Sequence, residues 1–348
     1  MSEALAGPVR SPVARAALAP LSAAYASVAR ARAAAFDLGW LRARALPRPT
    51  ISVGNLTVGG TGKTPCTIWI AERARAAGAR IGILTRGYGG GGADNDEVAM
   101  VRARDAAVPI GVGADRAAAA RALVEAHPEI DAFVLDDGFQ HRRVARDLDL
   151  LLVDAADPFG GGACLPRGWL REPASAARRA HAIILTRVDQ AERAAADRAW
   201  SRLEALGYRG PRVEATHRPE ALEAVDSRNG SMSLERLRGR SVRLLSAIAR
   251  PESFERTVQS LGARVIEHNI FRDHHRYAPA DLPDLRDASD GSSDGASICC
   301  FTEKDAPKLR RLGVVDGWIL RVSFVVERGA DDLSRMLEAV WGSRKRTR

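Results

Sequence analysis

Eight consecutive residues, Thr57, Val58, Gly59, Gly60, Thr61, Gly62, Lys63 and Thr64, have the types and spacing to hold a chain of phosphates. They follow the β-branched run Ile51-Ser52-Val53 and lead into a helix-like stretch at 67–77, which is the strand, glycine loop, helix order of a phosphate-binding loop. Gly59, Gly60 and Gly62 free the backbone to turn its N–H groups inward onto phosphate oxygens. The helix N-terminus adds partial positive charge at the same place. Lys63 would reach the β- and γ-phosphates, and the Thr64 hydroxyl would join Mg²⁺. The pattern usually opens with Gly, and here Thr57 stands in that position. Of 52 basic residues only Lys63, Lys304, Lys308 and Lys345 are lysines. A lysine kept at 63 therefore marks a site that needs a compact point charge rather than a planar fork.

Further groups that could do chemistry sit where other apolar runs end. Phe133-Val134-Leu135 runs into Asp136-Asp137, and a carboxylate at a strand end beside a phosphate loop can hold Mg²⁺ directly or through water. Gly138-Phe139-Gln140-His141 continues from that pair. Arg86-Gly87-Tyr88-Gly89-Gly90 and Asp94-Asn95-Asp96-Glu97 make a glycine-rich loop with an acidic end. Arg171-Glu172, Asp273-His274-His275 and Thr302-Glu303-Lys304-Asp305 add more titratable groups. Taken singly each is ambiguous, because an Asp-His pair also serves as a cap or a surface contact.

The elements that must position these groups alternate. Strand candidates at 80–84, 108–112, 132–135, 148–153 and 182–185 are separated by Ala/Arg-rich helical stretches, notably 114–126 and 191–206. Such alternation predicts an α/β fold with a mostly parallel sheet covered by helices on both faces. Ligands of such sheets bind beyond the carboxyl ends of the strands, where these motifs fall. A second α/β series begins at 242–247 and continues as helix 251–261, strand 264–267, helix 279–286, strand 297–301 and helix 306–312. The expected organisation is a basic N-terminal helical segment (1–46), a phosphate-loop domain (47–209), a linker or ribbon (210–240) and a smaller α/β domain (241–348). The Ser/Asp/Gly tract at 289–295 reads as a surface loop.

Composition narrows the classes. The 348 residues are 46% apolar and 27% charged, an ordinary globular balance. Cys66, Cys164, Cys299 and Cys300 show no C-x-x-C spacing, so neither a zinc site nor a disulfide framework is expected. No signal sequence and no run of 18 apolar residues is present, so no membrane span is expected. The first 50 residues hold seven arginines against Glu3 and Asp37, more than half of the net charge of +9. Leu18, Leu21, Tyr25 and Val28 recur on one helical face there, with Phe36, Trp40 and Leu41 beyond. Two readings stay open: a helix lying on an anionic membrane surface, or an Ala-rich helix packed on the domain. Aromatics at 5% without basic–aromatic interleaving argue against nucleic acid.

In order along the chain, residues 55–65, 86–89 with Asp96-Glu97, 136–141, Leu165-Pro166 with Leu170-Arg171-Glu172-Pro173, Asp273-His274 and 302–305 resemble the tetraacyldisaccharide 4′-kinases of lipid A synthesis. The resemblance spans roughly 47–325. It implies a lipid kinase that moves the ATP γ-phosphoryl group to the 4′-hydroxyl of tetraacyldisaccharide 1-phosphate, with ATP and Mg²⁺ as cofactors. It also implies work at the cytoplasmic face of the inner membrane, on an anionic surface, with the lipid disaccharide as partner and no obligate protein partner. That favours the membrane reading of the first helix. On this resemblance Thr57 to Thr64 bind the triphosphate, Asp136 and Asp137 lie at the metal with Thr64, and Asp96 draws the proton from the sugar hydroxyl. His274 supports Asp96 from the second domain, which would tie chemistry to domain closure. Arg86, Gln140, His141, Arg171 and Glu172 fall near substrate without fixed roles. Asn95, Gly161, Arg167, Trp169 and Ala247 depart from the family's usual residues. The rival is a GTPase of the metallochaperone class, because Thr186-Arg187-Val188-Asp189 resembles a guanine-reading Thr-Lys-x-Asp with Arg for Lys. A non-enzymatic adaptor with a vestigial loop ranks below both.

Overall fold

The structure is a computed structural model that describes residues 11–87, 96–226, 230–282 and 297–342. By its internal contacts the chain separates into two units.

The larger unit takes residues 6–88, 104–216 and 324–348. Its chain opens with α1 (Pro12–Ala17), capped by the Ser11 hydroxyl with Pro12 in the first turn, and α2 (Ala19–Asp37). Strand β1 (Thr50–Asn55) then runs through the loop into α3 (Lys63–Ala76). There follow β2 (Ile81–Thr85), then, past α4 (Asp96–Arg104) of the smaller unit, β3 (Ile110–Val112), α5 (Arg116–Ala126), β4 (Ala132–Asp136), β5 (Leu148–Asp154), β6 (Ala182–Thr186) and α6 (Arg193–Ala205). The strands are parallel in the order β6-β5-β1-β4-β2-β3. Strand β1 is flanked on both sides, so the loop that leaves its carboxyl end opens at the centre of the sheet, where the strand order reverses. Every residue of β1, β4, β5 and β6 is buried, as expected where helices cover both faces. Gly54 lets Phe139 approach: a Cβ there would lie 2.5 Å from the Phe139 Cβ.

The smaller unit takes residues 89–103 and 217–323. Strand β7 (Arg212–Ala224) enters it from the larger unit and pairs antiparallel with the short β8 (Ser231–Met232). It continues with β9 (Ser241–Ser246), α7 (Pro251–Ser260), β10 (Arg264–Ile270), β11 (Ile298–Thr302) and α8 (Ala306–Arg311). Strand β12 (Trp318–Arg328) leads back to the larger unit, where α9 (Ala330–Gly342) ends the described chain. Strands β10, β9, β11 and β12 are parallel neighbours in that order.

This partition differs from the expected boundaries in three places. Residues 96–103 join the smaller unit, where Asp96 meets His274 and Lys308. The stretch read as a linker at 210–240 contains β7, whose length of 13 residues was hidden by charged residues along it. The C-terminal end returns to the larger unit: Trp69 and Phe324 rings meet at 5.7 Å, and Arg73 donates to the Ser334 hydroxyl. The helix expected at 279–286 shows a 3₁₀ turn at Pro279–Asp281. The tract at 289–295, the glycine loop at 88–95 and Asn95 lie outside the described residues.

The four cysteines are free and buried, as small apolar residues of the core. On α2 the large apolar side chains Leu21 and Val28 turn out to solvent. Leu21 is 60% and Val28 69% exposed, and Trp40 beyond the helix is 79% exposed. The buried side is made of Ser22 and Ala26, and the Ser22 hydroxyl donates to the Cys164 carbonyl.

Candidate active site

The larger unit brings the candidate phosphate loop and the acidic pair together at the carboxyl ends of β1, β4 and β6. Gly59 (φ 116°) and Gly62 (φ 87°) take left-handed backbone, which a Cβ would strain. Gly62 caps α3, so Lys63 and Thr64 open that helix. The loop's carbonyls are drawn outward. Arg187 donates to the Gly60 carbonyl at 2.7 Å and the Thr186 hydroxyl donates to that of Thr61 at 3.1 Å. With carbonyls pulled away, the N–H groups of the same peptides could face a phosphate. Arg187 is itself fixed by Asp154 at 2.5 Å and sits in left-handed backbone (φ 56°). A second brace comes from the segment before Arg171. Val58 N–H donates to Trp169, Arg171 N–H donates to Leu56, and Thr57 bridges Leu170.

That brace delivers Arg171 into the cradle. Its guanidinium grips Asp137 with one nitrogen on each oxygen, both at 2.8 Å, and donates to the Asn55 carbonyl at 3.0 Å. Lys63 Nζ donates to Asn55 Oδ1 at 3.1 Å and stands 3.5 Å from Asp137 Oδ1. Burial alone would raise the Asp137 carboxyl, but Lys63 and Arg171 hold it well below the usual range. The Thr64 hydroxyl lies 3.3 Å from Asp136 Oδ2. These hard oxygen donors beside a phosphate nest fit Mg²⁺.

The remaining sequence candidates divide. Gln140 donates to the Asn55 carbonyl at 2.9 Å, tying the turn after β4 to β1. Arg86, Gln140, His141 and Arg171 line one hollow of ≈ 350 Å³ with Arg32, Arg116, Arg143 and Asp137. In it burial, then Arg116, Arg146, Arg32 and Arg143, depress the His141 imidazole to about 4, so the ring is neutral at pH 7. Glu172 is turned elsewhere: buried, it pairs bidentately with Arg179 at 2.7 and 3.2 Å. Arg179 in turn lies over the Phe139 ring.

The smaller unit holds Asp96 at the first turn of α4. His274 Nδ1 lies 3.1 Å from its Oδ2, and His274 takes left-handed backbone (φ 63°) to do so. On the other side of the ring, Lys304 Nζ lies 3.3 Å from Nε2 and 2.5 Å from Asp273 Oδ1. An ammonium has only hydrogens to offer, so the tautomer that suits both contacts accepts at Nε2 and donates from Nδ1 to Asp96. Burial pushes the Asp96 carboxyl up, but His274 and Lys308 outweigh it and hold it below its ordinary value. Sequence reasoning left Lys304 without a role and passed over Lys308. The scarcity of lysine that singled out Lys63 points to both.

Comparison with known proteins decides the family. A family model described as tetraacyldisaccharide-1-P 4′-kinase matches residues 14–341. The chain belongs to the tetraacyldisaccharide 4′-kinase family. It is 41% identical over 347 residues to the tetraacyldisaccharide 4′-kinase of Anaeromyxobacter sp. (strain Fw109-5), covering 92% of this chain and 91% of the relative. It is 35% identical over 306 residues to that of Chromobacterium violaceum, covering 85% and 84%. Among solved structures, LpxK from Aquifex aeolicus in complex with ATP aligns at a TM-score of 0.68 and 27% identity, over 94% of this chain and 99% of that one. Membership in the 4′-kinase family does not favour the GTPase reading of Thr186–Asp189, whose Arg187 braces the phosphate loop.

Proposed function

We propose that this chain transfers the γ-phosphoryl group of ATP to the 4′-hydroxyl of tetraacyldisaccharide 1-phosphate. The observation that carries the proposal is the cradle of Lys63, Thr64, Asp136 and Asp137 in a chain matched by the 4′-kinase family from residue 14 to 341. Mg²⁺ bound by Thr64 and Asp136 would neutralise charge on the β- and γ-oxygens. Lys63 adds a point charge to the same oxygens, and Asp137, locked by Arg171, keeps Lys63 oriented. Asp96 takes the proton of the acceptor hydroxyl as its oxygen attacks, and His274 holds that carboxylate through its Nδ1. The arginine-lined hollow at His141 suits the acceptor's own phosphate, because guanidinium forks match phosphate oxygens.

The deciding assay follows labelled γ-phosphate from Mg·ATP into tetraacyldisaccharide 1-phosphate in detergent micelles, with GTP in parallel. A doubly phosphorylated lipid formed with ATP is expected. Nucleotide hydrolysis that prefers GTP and yields no lipid product would overturn the proposal.

The acceptor's four acyl chains argue for a reaction at a lipid surface, and the exposed side of α2 supports that reading. No described helix is long and apolar enough to cross a membrane. The exposed Leu21, Val28 and Trp40 with the nearby Arg30, Arg32 and Arg42 would instead lie in the headgroup plane of an anionic bilayer. Co-sedimentation with vesicles of phosphatidylglycerol and phosphatidylcholine tests this. Replacing Leu21, Val28 and Trp40 together by Ser is expected to lower vesicle binding at least about tenfold, and unchanged binding would dismiss the surface.

A further inference from the structure

The carboxylate assigned as the base is gripped by a lysine to which the proposed reaction gives no role. Lys308 on α8 puts Nζ 2.9 Å from Oδ2 of Asp96. The 3.1 Å contact from His274 falls on that same oxygen, and Oδ1 takes neither. The ammonium is itself fixed from behind. Asp305 Oδ1 lies 3.7 Å away, the Tyr277 ring 5.9 Å away, and the Lys308 side chain is only 10% exposed. Asp305 is fully buried and pinned by the Thr302 hydroxyl at 2.6 Å and the Ala247 N–H at 3.1 Å. Swinging the ammonium aside would part it from both the Asp96 carboxylate and the buried Asp305 carboxyl.

The residue type fits the geometry. An arginine at this place would offer a fork able to take both oxygens, as Arg171 does on Asp137. An ammonium is a point charge that occupies one oxygen. This chain has four lysines in all, and one of them is spent here.

We infer that Lys308 is a positioning residue for the transfer: with His274 it occupies Oδ2 of Asp96, so that Oδ1 is the oxygen that takes the acceptor's proton. The inference rests on the reading of Asp96 as base. In the step, the acceptor O–H bond breaks and its proton goes to Oδ1. The freed electron pair forms the new bond to the γ-phosphorus, and the bond to the β,γ-bridging oxygen breaks with its electrons leaving on ADP.

Four enzymes test it: the parent, Lys308→Met, Asp96→Asn and the double variant, each assayed in micelles with Mg·ATP and the lipid acceptor. Lys308→Met is expected to lower kcat about 30-fold, the scale of a misplaced reacting group, with KM for ATP within about twofold. In the Asp96→Asn background the same change should cost less than about threefold, because a base already removed cannot be misplaced. A Lys308→Met enzyme within about threefold of the parent overturns the inference. So does an equal loss in both backgrounds, which marks a merely structural lysine. If Asp96→Asn alone turns over like the parent, the base assignment has failed and takes the inference with it. Lys308→Gln repeats the comparison where the Met variant melts well below the parent.

Discussion

Asp137 in the larger unit and Asp96 in the smaller are both part-buried carboxylates held ionised by cations, yet they are held differently. Each oxygen of Asp137 meets its own Arg171 nitrogen, with Lys63 beside one of them. Asp96 is gripped by His274 and Lys308 at one oxygen only. A carboxylate that serves as fixed charge gains from a fork, which satisfies both oxygens and locks its plane. A carboxylate that must accept a proton needs one oxygen left to the substrate. On the proposed reading, the grip on each carboxylate matches its job.

The largest effects should separate the two regions. Asp96→Asn is expected to lower kcat by about two to four orders of magnitude while KM for ATP stays within about twofold. Lys63→Ala is expected to lower kcat/KM for ATP by about two to three orders, with KM and kcat both affected. Steady-state kinetics with each substrate varied in turn gives both answers. If Asp96→Asn raised the ATP KM as much as Lys63→Ala does, the division of labour would be wrong.

How much of this the sequence announces depends on how local each arrangement is. The cradle is contiguous: 51–64 carries strand, glycines, lysine and hydroxyl in one stretch, and Asp136-Asp137 ends a run that reads as a buried strand without ambiguity. The Asp96–His274 pair is separated by 178 positions, and only the family resemblance joined them beforehand. Neither periodicity nor resemblance revealed Lys308, whose helix has six residues. Strand β7 escaped because Arg212, Glu214, Arg218, Glu220 and Glu223 interrupt any apolar run, although Val213, Ala215 and Leu222 are buried. Its pairing is settled by neighbours far away in sequence, and strand propensity is a poor guide in that case. The return of α9 to the larger unit rests on contacts such as Arg73 with Ser334, which leave no mark on local spacing.

A smaller effect tests whether the larger unit's precision comes from its braces. Arg187 joins the Gly60 carbonyl to Asp154, so Arg187→Met leaves Asp154 buried without its cation and releases the loop. Breaking such a pair costs about 3 kcal/mol, so the melting temperature should fall. At 20 °C, where the variant is still folded, KM for ATP should rise about tenfold with a lesser change in kcat. An unchanged KM would show that the loop keeps its shape without the carbonyl bond, and the contrast with Asp96 would then rest on Arg171 alone.

The smallest expected effect concerns His141, which its surroundings in the hollow hold neutral. Burial and the arginines at 116, 146, 32 and 143 depress it from the usual 6.5 to about 4. Between those values the unfolded chain binds a proton that the folded chain refuses, so stability rises with pH through that window and is lost as pH falls from 6.5 towards 4. His141→Asn removes this linkage. Its melting temperature should therefore decline less steeply than the parent's over that interval, by a few degrees at most because the ring is only half-buried. Phosphate-free buffers are required, since a phosphate in the arginine-lined hollow would draw the imidazole back towards its charged form. Parallel curves for parent and variant would mean that solvent screens the ring from those arginines. The hollow would then be less electropositive than an acceptor phosphate needs, and the acceptor-phosphate reading of the hollow would lose its main support.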